Sequence, residues 1–234
     1  LSCGVLLYRM APMHLPVLPS LHEIQHMLFL GLLTSIRVVV LVIFCMLFWM
    51  PIGVWIGFRP KVTQFLQPVI QFLAALPVNL FYPLIFLLII RYDLNVEIWT
   101  APLMVLGMQW YVLFNVIAGA SNLSLDQRQA VDSFGLSMKA KWMYFIIPGI
   151  APELITGAIT AAGGAWNASI IAEVVQWRSV EIHATGLGSY IAKASAEGSF
   201  SHLAMAVMVM CVYVLVFNEL LWQPLYDKIK QRFA

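Results

Sequence analysis

Five long apolar segments separated by short polar loops constrain this chain more than any other feature. They run from about Met27 to Phe58, Phe65 to Ile90, Ile98 to Ala118, Phe145 to Val175 and Leu203 to Trp222. A helix needs about 20 apolar residues to cross a bilayer. Backbone groups in lipid can be satisfied only within helices or closed barrels. Only 10% of the residues are charged and 62% are hydrophobic, against roughly 25% charged in an average soluble domain. The sequence therefore predicts an all-α integral membrane protein with five core transmembrane helices. The first segment is longer than one bilayer and contains Arg37. It must tilt or begin outside the hydrocarbon, with the span proper near Val38–Phe58.

Residues 1–20 are read as the end of a further N-terminal transmembrane helix and an outer loop, because Leu1–Met10 is too short to span alone. The chain is expected to be part of a longer polypeptide. Residues 21–234 form the membrane domain. Cys3, Cys45 and Cys211 are isolated, and the histidines (His14, His22, His26, His183, His202) show no ligand spacing, so neither a metal site nor a disulfide framework is expected. The histidines are read as solvated surface. A net charge of +2, scattered along the chain, gives no footprint for nucleic acid.

Basic residues set the expected orientation. Arg59 and Lys61, then Arg128, Lys139 and Lys141, then Lys228, Lys230 and Arg232 fall on one side; Arg9, Arg91, Arg178 and Lys193 fall on the other. The loop 121–145 and the C-terminus are therefore expected in the cytoplasm.

That loop carries the most specific local signal. Ser124 and Gln127 form a capping-box pattern, which predicts a short helix to about Phe134. Gln127, Ala130, Val131 and Phe134 share one face of it. Gly135 suits a positive-φ terminator, a second short helix starts near Ser137, and Pro148 suits the first turn of the next span. Gln129-Ala130-Val131-Asp132-Ser133-Phe134-Gly135, followed thirteen residues later by Pro148, resembles the signature loop of ABC-importer permeases. That signature reads Glu-Ala-Ala, three residues, Gly, nine residues, Ile-x-Leu-Pro. Ala130, Gly135 and Pro148 are in register; Gln129, Val131, Phe145 and Ile147 replace the Glu, the second Ala, the Ile and the Leu.

The resemblance implies a type I ABC importer permease fold. It also implies that Gln129, Ala130, Val131, Phe134, Gly135 and Pro148 belong to a loop docking on a cytoplasmic ABC ATPase. ATP and Mg would then bind the partner, and this chain would hold no cofactor and no catalytic residue. A second permease subunit or half and an extracytoplasmic substrate-binding protein are the other implied partners, with membrane lipid around the spans, in the inner membrane of a bacterium.

Further features resemble the nitrate/sulfonate/taurine branch of these permeases: Pro68, Pro77 and Pro83 in the second span, Thr34-Ser35-Ile36-Arg37 in the first, and Gly163-Gly164-Ala165-Trp166-Asn167-Ala168-Ser169 in the fourth. Ile90-Arg91 stands where that branch often has Phe-Gly. The branch implies a small anion such as nitrate, a sulfonate or bicarbonate. Pro77 and Asn79 either line a pathway or mark a packing kink.

In the fourth span Gly157, Ala161, Ala165 and Ser169, and beside them Thr160, Gly164, Ala168 and Ala172, repeat every four residues, a pattern for close helix packing. Gly163, Gly164, Trp166 and Asn167 are the candidate pathway residues here, with helix–helix hydrogen bonding the alternative for Asn167. Glu153 is expected to pair with the loop lysines and Glu173 to be solvated. Arg37 is read as an interfacial anchor, since a charge deep in hydrocarbon costs at least about 2.5 kcal/mol. Trp222 and Tyr226 are read as an interfacial aromatic belt. An ion-coupled secondary transporter is the alternative function. It would need paired buried carboxylates and often inverted repeats, and no fixed-period repeat is visible.

Overall fold

The computed structural model describes residues 20–177 and 180–233. The expectations placed on Leu1–Met10, Cys3, Arg9, His14 and Arg178 lie outside the described residues.

Helix α1 (Leu21–Gly57) starts at a capping box. Ser20 N–H donates to Glu23 Oε2 at 2.6 Å, and Glu23 N–H donates to Ser20 Oγ at 3.3 Å. Beyond its first turns the helix is apolar on most of its faces, with Arg37 the one charged residue between Met27 and Gly57. Met27, Leu30, Thr34, Val38, Leu41, Val42 and Cys45 are buried, while Phe29, Leu32, Ile36, Val40 and Leu47 face outward.

The second apolar segment is not one straight helix. It divides into α2 (Pro60–Ala75), a 3₁₀ turn (Val78–Leu80) and α3 (Tyr82–Arg91). The two halves are bent by 71°. Leu76 is extended, with ψ 131°, as the residue before a proline tends to be. Pro77 caps the turn, and Pro83 stands in the first turn of α3, where its missing N–H costs nothing.

Helix α4 (Val96–Asn122) is the third span. The connection after it contains α5 (Leu125–Ser133) and α6 (Met138–Lys141). A π-turn at Trp142–Ile146 then leads into α7 (Ile147–Ala172). Among the described residues four helical stretches are long and apolar enough to cross a membrane, and the bent pair makes five when counted as one span.

The all-α fold carries one short hairpin beyond α7, where β1 (Val174–Trp177) pairs antiparallel with β2 (Val180–His183). The Gly/Ser/Ala-rich stretch that follows forms α8 (Leu187–Ala196). Helix α9 (Phe200–Phe217), a π-turn (Asn218–Trp222) and α10 (Gln223–Phe233) complete the described chain.

The core is the α1–α4–α7 group. Glycines let α7 lie close against α4: a methyl group on Gly157 would meet Asn115 Cβ at 2.9 Å, and one on Gly164 would meet Tyr111 Cε2 at 2.9 Å. Gly157, Ala161, Ala165 and Ser169 are all buried along this helix. Such contact supplies the van der Waals packing that holds helices together in lipid. Helix α9 is largely uncovered, with Met208, Val212, Leu215 and Val216 outward. Trp222 is 6% exposed and belongs to the core, so it is not part of an aromatic belt.

Candidate functional site

Three features stand out: a solvent-facing loop, a polar seam running from it along α4 and α7, and an ion network at the opposite end.

The loop is built from local signals. Ser124 Oγ accepts from Gln127 N–H at 3.2 Å and Gln127 Oε1 accepts from Ser124 N–H at 3.0 Å. Gly135 has φ +63°, a conformation that glycine adopts without steric cost. Ser137 caps α6, and Lys141 Nζ pairs with Asp132 Oδ1 at 2.5 Å, closing the loop on itself. Gln129, Ala130, Phe134 and Gly135 are exposed, Phe134 at 75%, while Val131 is half-buried. Pro148 sits in the first turn of α7. Phe134 is thus a large aromatic side chain held outward at the C-cap of a short polar helix.

The seam follows from helical spacing. On α7, Thr156, Thr160, Gly163 and Asn167 are exposed and share one face. On α4, Tyr111, Asn115, Ala118 and Asn122 do the same, with Asn115 half-buried. The contacts of Gly157 with Asn115 and of Gly164 with Tyr111 place the two stripes side by side. Thr156 and Thr160 donate to the carbonyls of Pro152 and Thr156, both at 2.9 Å, and Asn115 Nδ2 donates to Tyr111 O at 2.8 Å. These three bonds are each made within one helix.

At the loop end the seam opens into a cleft of about 450 Å³ that Thr63 and Gln67 of α2 share with Asn115, Ser121 and Asn122. Asn122 Nδ2 donates to Glu153 Oε1 at 3.2 Å. Glu153 thus takes its hydrogen bond from α4, while the loop lysine Lys141 pairs with Asp132 instead.

The structure divides the candidate pathway residues. Gly163 and Asn167 lie on the seam, and Gly164 is half-buried at its edge against Tyr111. Trp166 is 5% exposed and stacks on Tyr213 with ring centroids 6.5 Å apart, so it faces α9. Pro77 and Asn79 are exposed at the break between α2 and α3. Thr156, Thr160, Tyr111 and Asn115 were not singled out for a pathway from sequence. Polar residues recurring at three- and four-residue spacing inside apolar spans are the signal that marks them.

The ion network corrects the reading of Glu173 and gives Arg37 its partners. Glu173 is not solvated but completely buried. Its Oε1 accepts from Arg37 Nη1 at 2.6 Å and from Thr34 Oγ1 at 3.2 Å; its Oε2 accepts from Ser189 N–H at 3.1 Å. Arg37 is 15% exposed and its Nη2 donates to Glu97 Oε2 at 2.7 Å. Glu97 Oε1 in turn accepts from Thr185 N–H at 2.6 Å, and Thr34 Oγ1 accepts from Leu187 N–H at 2.9 Å. Arg37, read from sequence as an interfacial anchor, therefore joins α1 to α4, to the end of α7 and to the residues just before α8. Gly186 and Gly188 leave room for the Glu173 carboxylate.

At the same end a cleft of about 570 Å³ is lined by Glu23, His26, Tyr190, Lys193 and His202 among others. Burial, with Glu23 and Glu197 nearby, pushes the Tyr190 hydroxyl above its usual pKa. His202 is half-buried between Ser199 (2.6 Å) and Glu23 (3.3 Å), so it is not free solvated surface.

Residues 49–224 match the family described as binding-protein-dependent transport system inner membrane component. The taurine transport system permease protein TauC of Escherichia coli (strain K12) is 27% identical over 139 residues, 59% of this chain and 49% of that protein. The nitrate import permease protein NrtB of Leptolyngbya laminosa is 25% identical over 169 residues, 72% of this chain and 57% of that protein. The bicarbonate transport system permease protein CmpB of a Synechocystis species is 26% identical over 167 residues, 71% of this chain and 56% of that protein. The chain spans about half the length of the curated relatives it matches. Their names fall in the nitrate/sulfonate/taurine branch that the sequence resembles. The match over most of the chain, together with its apolar helical spans, makes this protein a member of the binding-protein-dependent transport system inner membrane component family, with the type I ABC permease fold.

Proposed function

We propose that this chain is the pathway-forming permease of an ABC importer for a small anion and is driven by a partner ATPase. The observation that carries the reading is one of connection. The two helices that present the polar seam, α4 and α7, are the two joined by the exposed loop. Force applied to α5 and α6 reaches the seam through covalent backbone and a glycine-lined interface, with no flexible linker between.

On this reading Gln129, Ala130, Phe134 and Gly135 meet the ATPase, and ATP and Mg stay on that subunit. The loop and the C-terminus lie in the cytoplasm, as the basic residues at that end favour. A polar face on an otherwise apolar helix must be covered by protein or water. A second permease copy or half across the seam, with the substrate path between, meets that need. Thr156, Thr160, Gly163, Asn167, Tyr111 and Asn115 then line the path. An extracytoplasmic binding protein delivers the anion. The relatives' names supply its class: nitrate and bicarbonate are small anions at neutral pH, and taurine is a zwitterion that presents an anionic sulfonate.

Cysteine accessibility tests this. Single cysteines at Thr156, Thr160 and Asn167 are expected to react with a membrane-impermeant thiol reagent. Cysteines at the outward apolar positions Val212 and Leu215 are expected to stay unlabelled in lipid. Equal protection of both sets would remove the seam from the pathway. Uptake in vesicles should follow ATP and survive collapse of ion gradients; dependence on a gradient instead would favour a secondary transporter.

A further inference from the structure

The C-terminus of α1 meets the loop in a way that the sequence pattern does not announce. A helix leaves its last four carbonyls without intrahelical partners. Here each carbonyl from Trp55 to Phe58 receives a side-chain donor. Arg59 Nη1 donates to Trp55 O at 2.8 Å, Thr63 Oγ1 to Ile56 O at 2.9 Å, Ser121 Oγ to Gly57 O at 3.3 Å and Arg128 Nη1 to Phe58 O at 2.9 Å.

Arg128 is the donor that comes from α5. Its guanidinium carbon also stands 4.7 Å from the centre of the Phe58 ring. It is half-buried, whereas the other polar residues of α5 are exposed. A cation at a helix C-terminus is further favoured by the helix dipole. Loop and α1 thus share a charge-assisted hydrogen bond and a cation–π contact.

We propose that Arg128 is a positioning residue that transmits movement of the coupling loop to α1. The inference rests on the coupling reading above and adds a third driven helix. Helices α4 and α7 are moved through covalent backbone, but α1 is separated from the loop by α2, α3 and α4 in sequence and is linked to it across space. Helix α1 is 37 residues long, roughly 55 Å at about 1.5 Å per residue, and it carries Thr34 and Arg37 into the ion network beyond its midpoint. Motion given to Phe58 therefore reaches the end of the molecule opposite the loop.

The test uses the permease purified with its ATPase in lipid nanodiscs, with Cys3, Cys45 and Cys211 replaced by alanine. Spin labels at Leu47 (α1) and at Leu136 (loop) are each paired with one at Leu215 on α9, and distances are compared without nucleotide and with ATP and vanadate. Both pairs are expected to shift in the unmutated chain. In Arg128→Gln the loop pair is expected to keep its shift and the α1 pair to lose a measurable part of it, the part not carried by the packing of α1 on α4. A full α1 shift in Arg128→Gln overturns the proposal, as does an unmutated chain whose loop pair moves while its α1 pair stays still. A loop pair that stays still in the unmutated chain overturns the coupling reading itself and this inference with it. Arg128→Lys guards against a folding failure of the glutamine variant: it keeps the charge but loses the planar fork. Its α1 shift is expected to fall below that of the unmutated chain, and an undiminished shift counts against the proposal.

Discussion

Arg37→Gln is the substitution whose cost the structure sets most sharply. It leaves Glu173 buried with no cation beside it. Removing one member of a buried ion pair costs about 3–5 kcal/mol. Glu173 would keep two of its three donors, the Thr34 hydroxyl and the Ser189 amide, which places the loss near the lower bound, about 3 kcal/mol. At about 2–4 °C per kcal/mol for a chain of this size, the unfolding midpoint should fall by about 6–12 °C. Glu97→Gln breaks the other half of the same network, but Glu97 is 42% exposed, and such pairs contribute only about 0–1 kcal/mol. The assay is thermal unfolding of each variant in mild detergent, followed by the loss of the monodisperse peak. Added salt should leave the Arg37→Gln gap nearly unchanged, because buried pairs are weakly screened. A midpoint within 2 °C of the unmutated chain for Arg37→Gln, or an equal loss for Glu97→Gln, would refute the reasoning.

Other substitutions probe the remaining contacts. Gly186→Ala pushes a methyl group into the Glu173 carboxylate and should cost about 1–3 kcal/mol as overpacking, read in the same thermal assay; no loss would mean that this loop can move aside. Gly135 has open space around it but φ +63°, so Gly135→Val should strain the turn by about 1–2 kcal/mol and weaken ATP-driven uptake, whereas Gly135→Asn should be nearly neutral; equal behaviour of the two in uptake would argue against a conformational role. Asn167→Leu should reduce uptake with little change in the thermal midpoint, because the side chain faces outward, and undiminished uptake would remove it from the path.

The sequence was most legible where structure is local. The capping box at Ser124, the positive φ of Gly135 and the break at Leu76–Pro77 each follow from residues within a few positions of one another. The ion network was not legible, because Arg37 meets Glu97 and Glu173 across 60 and 136 residues of chain. Nothing near Glu173 in sequence signals that α8 and α1 close over it. Arg128 was counted for its charge, and its grip on Phe58 depends on how α1 and α4 pack. The small-residue pattern of α7 marked a close helix contact but not which edge stays open. That is why Trp166 and Asn167, adjacent in sequence and about 100° apart around the helix, were grouped although one is buried and the other exposed. The hairpin was hidden because Val174-Val175 continues the apolar run of the span, so the change from helical to alternating period begins inside it.

The central claim is that the loop at 121–145 couples this permease to an ATPase. It is tested most directly by purifying the tagged protein from its native membrane in mild detergent and identifying every stoichiometric partner by mass. The account predicts a soluble subunit carrying a phosphate-binding loop, lost when Phe134 and Ala130 are replaced by lysine. A stable, transport-active complex with no ATPase subunit would contradict it.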